Sequence, residues 1–472
     1  MNDARKEHLF GGRLLMLGFG CVGQGTLPLL LRHIAMRPEQ VLVVKPHDSG
    51  LAVAREFGVQ SLVTPLDADN LMQVLAPLLG PGDFLLNLSV DVSSVALIAL
   101  ARERGALYLD TCIEPWAGGY LDAALTPAQR TNYALREAAL ALRSPERDGP
   151  TAVLTHGANP GLVSYFVKQA LLDVAAATGA ARRPPRSRDG WARLAQSLGV
   201  RVIHIAERDT QAGTQRQRPE EFVNTWSVEG FVDEGTQPAE LGWGSHERHF
   251  PADGARHASG SKAAIYLNRP GAGTRVRTWT PLAGAQHGFL ITHAESISIA
   301  DHLTLGNHGH PRYRPTVHYA YRPCDDAVLS LHELAGRNWR KQSQGRVLKD
   351  EIVTGIDELG VLLMGHARGA YWYGSQLSIE QARALCPHNS ATSLQVAAAV
   401  MAGVVWAMKN PARDIVEPDD LPHDEMLRLC RPYLGDMVGV YSDWTPLSGR
   451  DWPFDEDLDR DDPWQFKNFR VA

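Results

Sequence analysis

Five acidic residues occupy apolar or glycine-rich segments of the sequence, where a charge is hard to accommodate. They are Glu114, Glu207, Glu234, Glu295 and Asp357. A buried carboxylate must be paired, hydrated or protonated, because burying an unpaired charge costs several kcal/mol. A structural ion pair or a turn cap is a sufficient explanation for any single one of them. As a set, they indicate a site for a flexible molecule with ammonium groups at fixed spacing.

Three more residues add chemistry that such a site needs. The indole face of Trp226 would stabilise a cation by about 0.5–2 kcal/mol, although a core tryptophan explains this residue equally well. His293 and Glu295 alternate in a segment that reads as a strand, so both side chains would share one face. A histidine–carboxylate pair moves protons near neutral pH, and a structural pair fits the spacing as well.

A glycine-rich segment from Gly18 to Gly23 fits the pattern G-x-G-x-x-G. Gly18 permits a tight turn, Gly20 lets the backbone approach a pyrophosphate, and Gly23 lets the helix pack on the strand. The segment follows an apolar strand and opens a helix at Cys21 and Val22, whose N-terminus would face the anion. A plain turn is the alternative, but the context favours a dinucleotide cofactor.

The end of the second strand bears on the choice between NAD and NADP. An acid about 20 residues after the loop usually holds the 2′-hydroxyl of NAD, but here the strand ends in Lys45. Asp48 follows closely and is a candidate replacement. Lys45 would alternatively accept the 2′-phosphate of NADP, or point to solvent. We expect NAD.

Helices and strands must position these residues. In the first 110 residues, apolar strand-like segments alternate with helical ones. The strands are 13–20, 41–44, 84–90 and 107–110, with a shorter one near Leu62, and the helices are 22–37, 51–57, 69–79 and 93–104. This alternation predicts an α/β fold with a Rossmann-type, doubly wound parallel sheet over residues 1–150. Residues 151–390 alternate less regularly, with strand-like pieces at 202–207, 288–300 and 360–366, which predicts an α+β second domain.

The C-terminal part combines an apolar helix with an acidic tail. The 13-residue run from Val396 to Met408 is wholly apolar; it is too short to cross a bilayer and predicts a buried helix, followed by a short segment that ends in an acidic turn near 420. We expect residues 421–472 to form an extension that packs on the body. Within it, Trp452, Phe454, Trp464 and Phe466 should anchor an extended segment on the body or on a partner subunit.

Composition restricts the compartment and the partners. The chain has 472 residues, five cysteines without close pairs and a formal charge of −6. The odd cysteine count and the lack of an apolar N-terminal stretch predict a cytoplasmic protein with reduced thiols. The negative charge argues against nucleic acid, despite the basic stretch 181–190, which reads as a surface loop.

A metal site is an alternative interpretation of one histidine group. The histidines are His302, His308, His310 and His318. No cysteine or acid completes a tight ligand pattern around them, so we predict no metal.

The motifs and their order in the sequence resemble those of a known family. Over nearly its whole length the chain resembles the bacterial homospermidine synthases. The matching blocks are GFGCVGQGTLPL, NLSVDVSS, GALYLDTCIEPW, RTNYALRE, GANPGLVSYFVKQAL, HIAERDTQ, FVNTWSVEGFVDEGTQPAELGWG, THAESISIAD, DAVLSLHEL, GIDELGVLL, AYWYGSQLSIE and YSDWTPL. The resemblance implies a saccharopine-dehydrogenase-like fold, in which the helix near 391–420 returns to complete the nucleotide domain and residues 151–390 bind substrate and form a dimer.

The resemblance also implies the chemistry. NAD would take a hydride from an amine-bearing carbon of putrescine, a second putrescine or spermidine would react with the imine, and the same cofactor would reduce the product to homospermidine. Ammonia or diaminopropane would leave. Trp226 is implied as the cation-stabilising aromatic residue, with His293 and Glu295 at the reaction centre.

The remaining site residues carry over by motif. Asn159, Glu207 and Asp357 are implied to hold the inner part of the substrate, and Glu114 and Glu234 its outer ammonium groups. The cofactor site would include the loop residues above, Asp48, and the group Ser89, Asp91, Thr111 and Asn159.

The chain departs from the family pattern at three positions. Lys45 stands where the family has an acid, Ala294 where it has asparagine, and His156 where a cysteine is more usual. A saccharopine-reductase-like dehydrogenase that uses free NAD(P)H is the nearest alternative function. A non-catalytic polyamine or nucleotide sensor is the alternative from another class.

Overall fold

The computed structural model describes residues 6–180, 183–451 and 453–471, which form two main β-sheets with helices around them. The α-helices are Cys21–His33, Leu51–Glu56, Leu71–Leu75, Ser94–Arg104, Asn132–Leu140, Leu162–Thr178, Arg188–Leu198, Val228–Thr236, Ala294–His302, Asp325–Gly336, Ile379–Leu385, Ala391–Lys409, His423–Cys430 and Phe466–Phe469.

The N-terminal sheet is parallel throughout, and seven strands of it lie among the described residues. In spatial order they are Ile415–Val416, Ala152–Val153, Leu107–Asp110, Phe84–Asn87, Leu14–Leu17, Val41–Lys45 and Gln60–Val63. Its central strands are buried along their whole length, as expected for a parallel sheet that helices cover on both faces. The chain order reverses beside Leu14–Leu17, which opens a crevice at the carboxyl ends of the strands. The predicted Rossmann-type sheet is therefore confirmed.

The helix Ala391–Lys409 returns from the second sheet to this one. The hydroxyl of Ser390 accepts a hydrogen bond from the Ser393 N–H and caps its start. The helix packs along Cys21–His33. It is long and apolar enough to span a membrane by composition, but 94% of its apolar window is buried, as predicted for a core helix. The chain then adds Ile415–Val416 beside Ala152–Val153.

The second sheet is mixed and larger. Its strands run in the order Gly254–Arg256, Ala264–Pro270, Pro238–Gly242, Thr316–Arg322, Val202–Asp209, Ile356–His366, Gly369–Ser378 and Asp436–Ser442, with Arg275–Thr280 and Gly284–Phe289 joined beside Thr316–Arg322. Strand Val202–Asp209 pairs in parallel with Thr316–Arg322 and antiparallel with Ile356–His366. This register sets Glu207 opposite Tyr321 and Asp209 opposite Asp357.

Four short pairs of strands complete the β-structure of the described residues. They are His8–Leu9 with Ile34–Ala35, Ala212–Gly213 with Ile352–Thr354, Glu221–Asn224 with Gln344–Val347, and Leu305–Asn307 with His310–Tyr313.

The predicted strand over 288–300 is wrong. The strand Gly284–Phe289 ends early, and the helix Ala294–His302 begins after His293, which is its N-cap residue. Glu295 lies in the first turn, where an acid is favoured by the partial positive charge of the helix N-terminus. The alternating polar and apolar residues were therefore a poor guide to this segment.

The tail agrees with the prediction only in part. Phe466 is buried and Trp464 packs against a cluster that includes Trp372, but Phe454 is 82% exposed. Trp452 lies outside the described residues. Of the basic stretch, residues 181–182 are also outside them, 183–187 are a loop, and Arg188 begins the helix Arg188–Leu198.

Candidate active site

The glycine-rich loop has a shape that admits a dinucleotide. Gly18 has a φ of +79°, and a Cβ there would lie 2.4 Å from the carbonyl oxygen of Leu88, so glycine is required. A Cβ on Gly20 would meet nothing within 4 Å. The helix Cys21–His33 starts here without a side-chain cap and without an acid in its first turn. Its free N–H groups are therefore available to an anion, and the residues fit the pyrophosphate of NAD.

The other predicted cofactor residues lie at the same edge of the sheet, because carboxyl ends of parallel strands meet there. Asp48 follows Val41–Lys45, Ser89 and Asp91 follow Phe84–Asn87, Thr111 follows Leu107–Asp110, and Asn159 follows Ala152–Val153. The Ser89 hydroxyl donates to Oδ1 of Asn87 over 2.6 Å. Their individual contacts with the cofactor remain predictions.

Lys45 does not point to solvent. Its side chain is 8% exposed, and its ammonium group donates to the carbonyl oxygen of Ser49 and, over 3.3 Å, to the Ser49 hydroxyl. Burial and the nearby charge of Lys349 lower the pKa of Lys45. The lysine is thus turned onto the loop that carries Asp48.

Glu207 is the centre of a buried polar cluster between the two sheets. Its Oε2 accepts hydrogen bonds from Nδ2 of Asn159 over 2.8 Å and from the hydroxyl of Tyr319 over 2.5 Å. Burial raises the pKa of Glu207. Asn159 also lies at the crevice of the N-terminal sheet. Its hydrogen bond therefore places Glu207 next to the edge of the sheet where the predicted cofactor residues lie.

Two further carboxylates, Asp209 and Asp357, lie beside Glu207. The Thr392 hydroxyl donates to Oδ2 of Asp357, and Nε2 of Gln211 lies 3.1 Å from Asp209 and 2.9 Å from Thr392. Burial raises the pKa of both acids, and the charge of Glu207 raises that of Asp357 further. Oδ1 of Asp357 has no partner among the described residues. An ammonium group would supply the missing positive charge.

An aromatic wall runs from Trp226 to this cluster. Nε1 of Trp226 donates to the hydroxyl of Tyr321 over 3.4 Å, and its ring centroid lies 5.2 Å from that of Phe231. Tyr321 in turn stacks on Tyr319, with centroids 5.2 Å apart and planes inclined by 10°. The half-buried Trp226 is therefore linked to Glu207 through Tyr321 and Tyr319, and its role at the site stays a prediction.

Sequence reasoning missed Tyr319, Tyr321 and Asp209. A usable signal existed, because Tyr319 and Tyr321 alternate within the strand Thr316–Arg322, and Asp209 follows Glu207 at the same two-residue period. Nothing in the sequence showed that these two strands are neighbours.

A second acidic region borders a small cavity with about 20 Å³ of water-accessible space. Glu114 is 4% exposed; its Oε1 accepts a hydrogen bond from the Cys112 thiol over 3.0 Å, and its Oε2 has no partner among the described residues. Burial raises the pKa of Glu114 to about 8. Glu234 lines the same cavity and remains partly exposed.

His293 connects the two acidic regions. Its Nε2 lies 3.0 Å from Oε2 of Glu234, and its Nδ1 lies 3.2 Å from Oε1 of Glu295. Its ring centroid lies 4.4 Å from that of Tyr319. Burial lowers the pKa of His293, but the two carboxylates outweigh this effect and raise it well above its ordinary value. The predicted His293–Glu295 pair thus exists, on a helix start instead of a strand.

Glu240, which the sequence did not single out, forms hydrogen bonds that hold the segments next to His293 in place. Its fully buried carboxylate accepts hydrogen bonds from the N–H groups of Asn132 and Tyr133, over 2.7 and 3.1 Å, and from the Thr292 hydroxyl over 2.6 Å. Burial raises the pKa of Glu240 to about 7. Glu240 therefore ties the start of helix Asn132–Leu140 to the residue that precedes His293.

The histidines considered as metal ligands do not assemble. Among residues 6–180, 183–451 and 453–471 there is no group of three or more histidine, cysteine or acidic side chains placed to hold a metal ion. His308 contacts Asp301 over 3.1 Å, and His318 is buried against His204.

Comparison with family models identifies both sheets. Residues 14–153 match the saccharopine dehydrogenase NADP binding domain, and residues 157–441 match the saccharopine dehydrogenase C-terminal domain. The fold implied by the resemblance is thereby confirmed.

Individual proteins are similar along the whole chain. A homospermidine synthase from Blastochloris viridis is 55% identical over 100% of both chains, and one from Mesorhizobium japonicum is 50% identical over 98% of this chain and 96% of its own. The crystal structure of homospermidine synthase from Legionella pneumophila in complex with NAD is 47% identical, covers 98% of each chain and has a TM-score of 0.91. A saccharopine dehydrogenase from Saccharomyces cerevisiae, at 12% identity and a TM-score of 0.50, covers 91% of this chain and 100% of its own and shares the fold alone.

Proposed function

The chain belongs to the homospermidine synthase family, and from this premise we propose that it joins two putrescines, or spermidine and putrescine, into homospermidine. An amine-bearing carbon loses a hydride and becomes an imine carbon. The second amine attacks it, ammonia or diaminopropane leaves, and the new imine is reduced. NAD supplies this chemistry by accepting the hydride and returning it, so that it is regenerated in each turnover.

The observation that carries the proposal is the placement of two separate acidic regions on either side of His293. The inner one contains Glu207 and Asp357, and the outer one contains Glu114 and Glu234. A diamine has a cation at each end and an apolar chain between them. It therefore needs acids at both ends and an aromatic or apolar wall between, such as that formed by Tyr319, Tyr321 and Trp226.

The inner acids position the substrate against the cofactor. Asn159 and Glu207 share a hydrogen bond at the crevice, so an ammonium group bound by Glu207 lies near the edge that holds NAD. Asp357, whose Oδ1 has no hydrogen-bond partner within the part of the chain that the structure describes, offers a second contact to the same end. Trp226 stabilises positive charge on the imine without offering a lone pair, and the buried surroundings exclude water that would hydrolyse it.

The outer acids and His293 handle the far ammonium group and the protons. Glu114 and Glu234 line one cavity with His293, so a bound amine there is within reach of the imidazole. Among the described residues that line this cavity there is no arginine or lysine. This disfavours the amino and keto acids that a saccharopine-reductase-like enzyme would take, because their carboxylates need cationic partners.

We assign residues 1–150, with the returning segment near 391–420, to NAD binding, residues 151–390 to substrate binding and dimerisation, and 421–472 to an extension on the body. We also propose a cytoplasmic homodimer. Its location is supported by five free cysteines, four of them buried, which suit a reducing compartment. Light scattering would measure the oligomeric mass, and a monomer would contradict the dimer.

The decisive experiment is to incubate the purified protein with putrescine and a small amount of NAD and to identify the amines by mass spectrometry. We expect many homospermidine molecules per NAD, with no lasting absorbance from NADH. Stoichiometric accumulation of NADH would identify a plain dehydrogenase instead. Addition of spermidine with putrescine tests the second substrate pair through the appearance of diaminopropane.

A further inference from the structure

His293 has an acceptor on each of its two ring nitrogens. Oε2 of Glu234 lies 3.0 Å from Nε2, and Oε1 of Glu295 lies 3.2 Å from Nδ1. An ionised carboxylate can only accept hydrogen bonds, and a neutral imidazole can donate from only one nitrogen. Both contacts are satisfied at once only if both nitrogens carry a proton. The geometry therefore corresponds to an imidazolium between two carboxylates, a form that cannot accept a proton from a substrate amine.

From this geometry, and resting on the proposed function, we propose that the substrate itself converts His293 into a base. The outer ammonium group takes the place of Nε2–H as the partner of Glu234. The proton on Nε2 leaves to bulk water, Nδ1–H stays on Glu295, and the lone pair of Nε2 becomes free. A cation replaces a cation, so the net charge of the site stays the same. Glu234, Glu295 and the imidazolium carry it before binding, and Glu234, Glu295 and the substrate ammonium group carry it afterwards.

The surroundings of His293 favour this exchange once Glu234 is occupied. The imidazole is 5% exposed, and burial favours the neutral form of histidine. It is also the N-cap residue of helix Ala294–His302, whose N-terminus carries a partial positive charge that disfavours a cation. A nearby ammonium group adds further repulsion. The imidazolium is favoured mainly by the carboxylates of Glu234 and Glu295, and the substrate neutralises one of these two.

The titratable groups around His293 come from several elements. They are Glu234 on helix Val228–Thr236, Glu295 on its own helix, Tyr319 on strand Thr316–Arg322, Glu207 on strand Val202–Asp209, and Cys112 and Glu114 on the loop after Leu107–Asp110. Of these, Glu114 and Glu207 also titrate near neutral pH and would each release a proton to bulk water when an ammonium group binds beside them. The experiment must therefore separate these two acids from His293.

The test measures proton release when putrescine binds to the NADH-loaded enzyme, in which no hydride acceptor is present. Titration calorimetry in buffers of different ionisation enthalpy gives the number of protons released. We expect the wild-type protein to release about one proton more than His293→Asn near neutral pH. Glu114→Gln should release fewer protons than wild type but should still exceed the double variant Glu114→Gln/His293→Asn by about one.

A spectroscopic measurement keeps the test valid if the variants bind weakly. Protein labelled at histidine Cε1 gives a resonance for His293, assigned by its loss in His293→Asn. We expect the chemical shift of an imidazolium in the free enzyme and of a neutral imidazole after saturation with putrescine. A resonance that stays protonated at saturation, or equal proton release with and without His293, would overturn the inference while leaving homospermidine synthesis intact. If putrescine does not bind and no homospermidine forms, the proposed function itself fails, and the inference with it.

Discussion

Replacing Glu114 by glutamine removes the charge of one outer carboxylate while keeping its shape. Glu114 is 4% exposed, and its Oε2 has no hydrogen-bond partner among the described residues. Its pKa is raised by burial from 4.5 to about 8. Without a cation, the acid is therefore mostly neutral at pH 7, with about one tenth of the molecules ionised. Glutamine imitates this neutral form, so the cost of the substitution should depend on pH.

The magnitude follows from the burial of the acid. The rise of its pKa corresponds to a cost on the order of 5 kcal/mol for ionising the side chain in the absence of a partner. A substrate ammonium group offsets part of this cost by forming a charge-assisted contact worth about 1.5–3 kcal/mol, or about 10- to 150-fold in kcat/KM. The full penalty of Glu114→Gln should appear at and above about pH 8, because only there is the free carboxylate ionised. Below it the penalty should shrink by up to about tenfold per pH unit.

The assay is kcat/KM for putrescine from pH 6 to 9, measured as homospermidine formed. The control is Glu103→Gln, which removes one exposed charge from helix Ser94–Arg104 and should match wild type at every pH. Thermal unfolding and NAD titration check that Glu114→Gln is folded and binds cofactor. A penalty of equal size at pH 6 and pH 9 would refute the reasoning, because it would show that Glu114 is already ionised, or merely structural, across the range.

Three further outcomes are expected. Homospermidine formation should fall in the order Trp, Tyr, Phe, Leu at position 226. Phe should remain clearly above Leu, because the phenyl face still stabilises a cation. Equal rates for Phe and Leu would mean that Trp226 serves only as an apolar wall. Since the ammonium group of Lys45 is bound to Ser49, NAD should bind more tightly than NADP in direct titrations of both, and equal affinities would contradict this. Glu240→Gln should lower kcat with little change in NAD affinity, because it weakens by about 1.5–3 kcal/mol the hydrogen bond that holds Thr292 beside His293. An unchanged kcat together with a lowered melting temperature would show that Glu240 is purely structural.

Much of the N-terminal sheet was predictable because its signals are local. Its apolar strands and the intervening helices follow from short segments, and a parallel sheet buried on both faces requires such apolar strands. The glycine-rich loop was equally readable, because Gly18 must adopt a positive φ and Gly20 must leave space for a ligand whatever the rest of the chain does. The segment 288–300 was misread because its alternation is compatible with a strand, whereas the acid in the first turn and the packing of the helix decide its structure.

The sequence by itself determined the fold class, the cofactor loop and the acidic character of the site, since each depends on residue types within a few positions of one another. The tertiary structure alone decided which acids share a cluster and which residue stands between them. Glu234 and His293 are 59 positions apart, and Asp209 meets Asp357 only through the register of two strands. Such pairings depend on which distant segments pack together, and packing is a property of the whole chain. For the same reason the sequence did not reveal the double contact of His293, because one of its partners, Glu234, belongs to the distant helix Val228–Thr236.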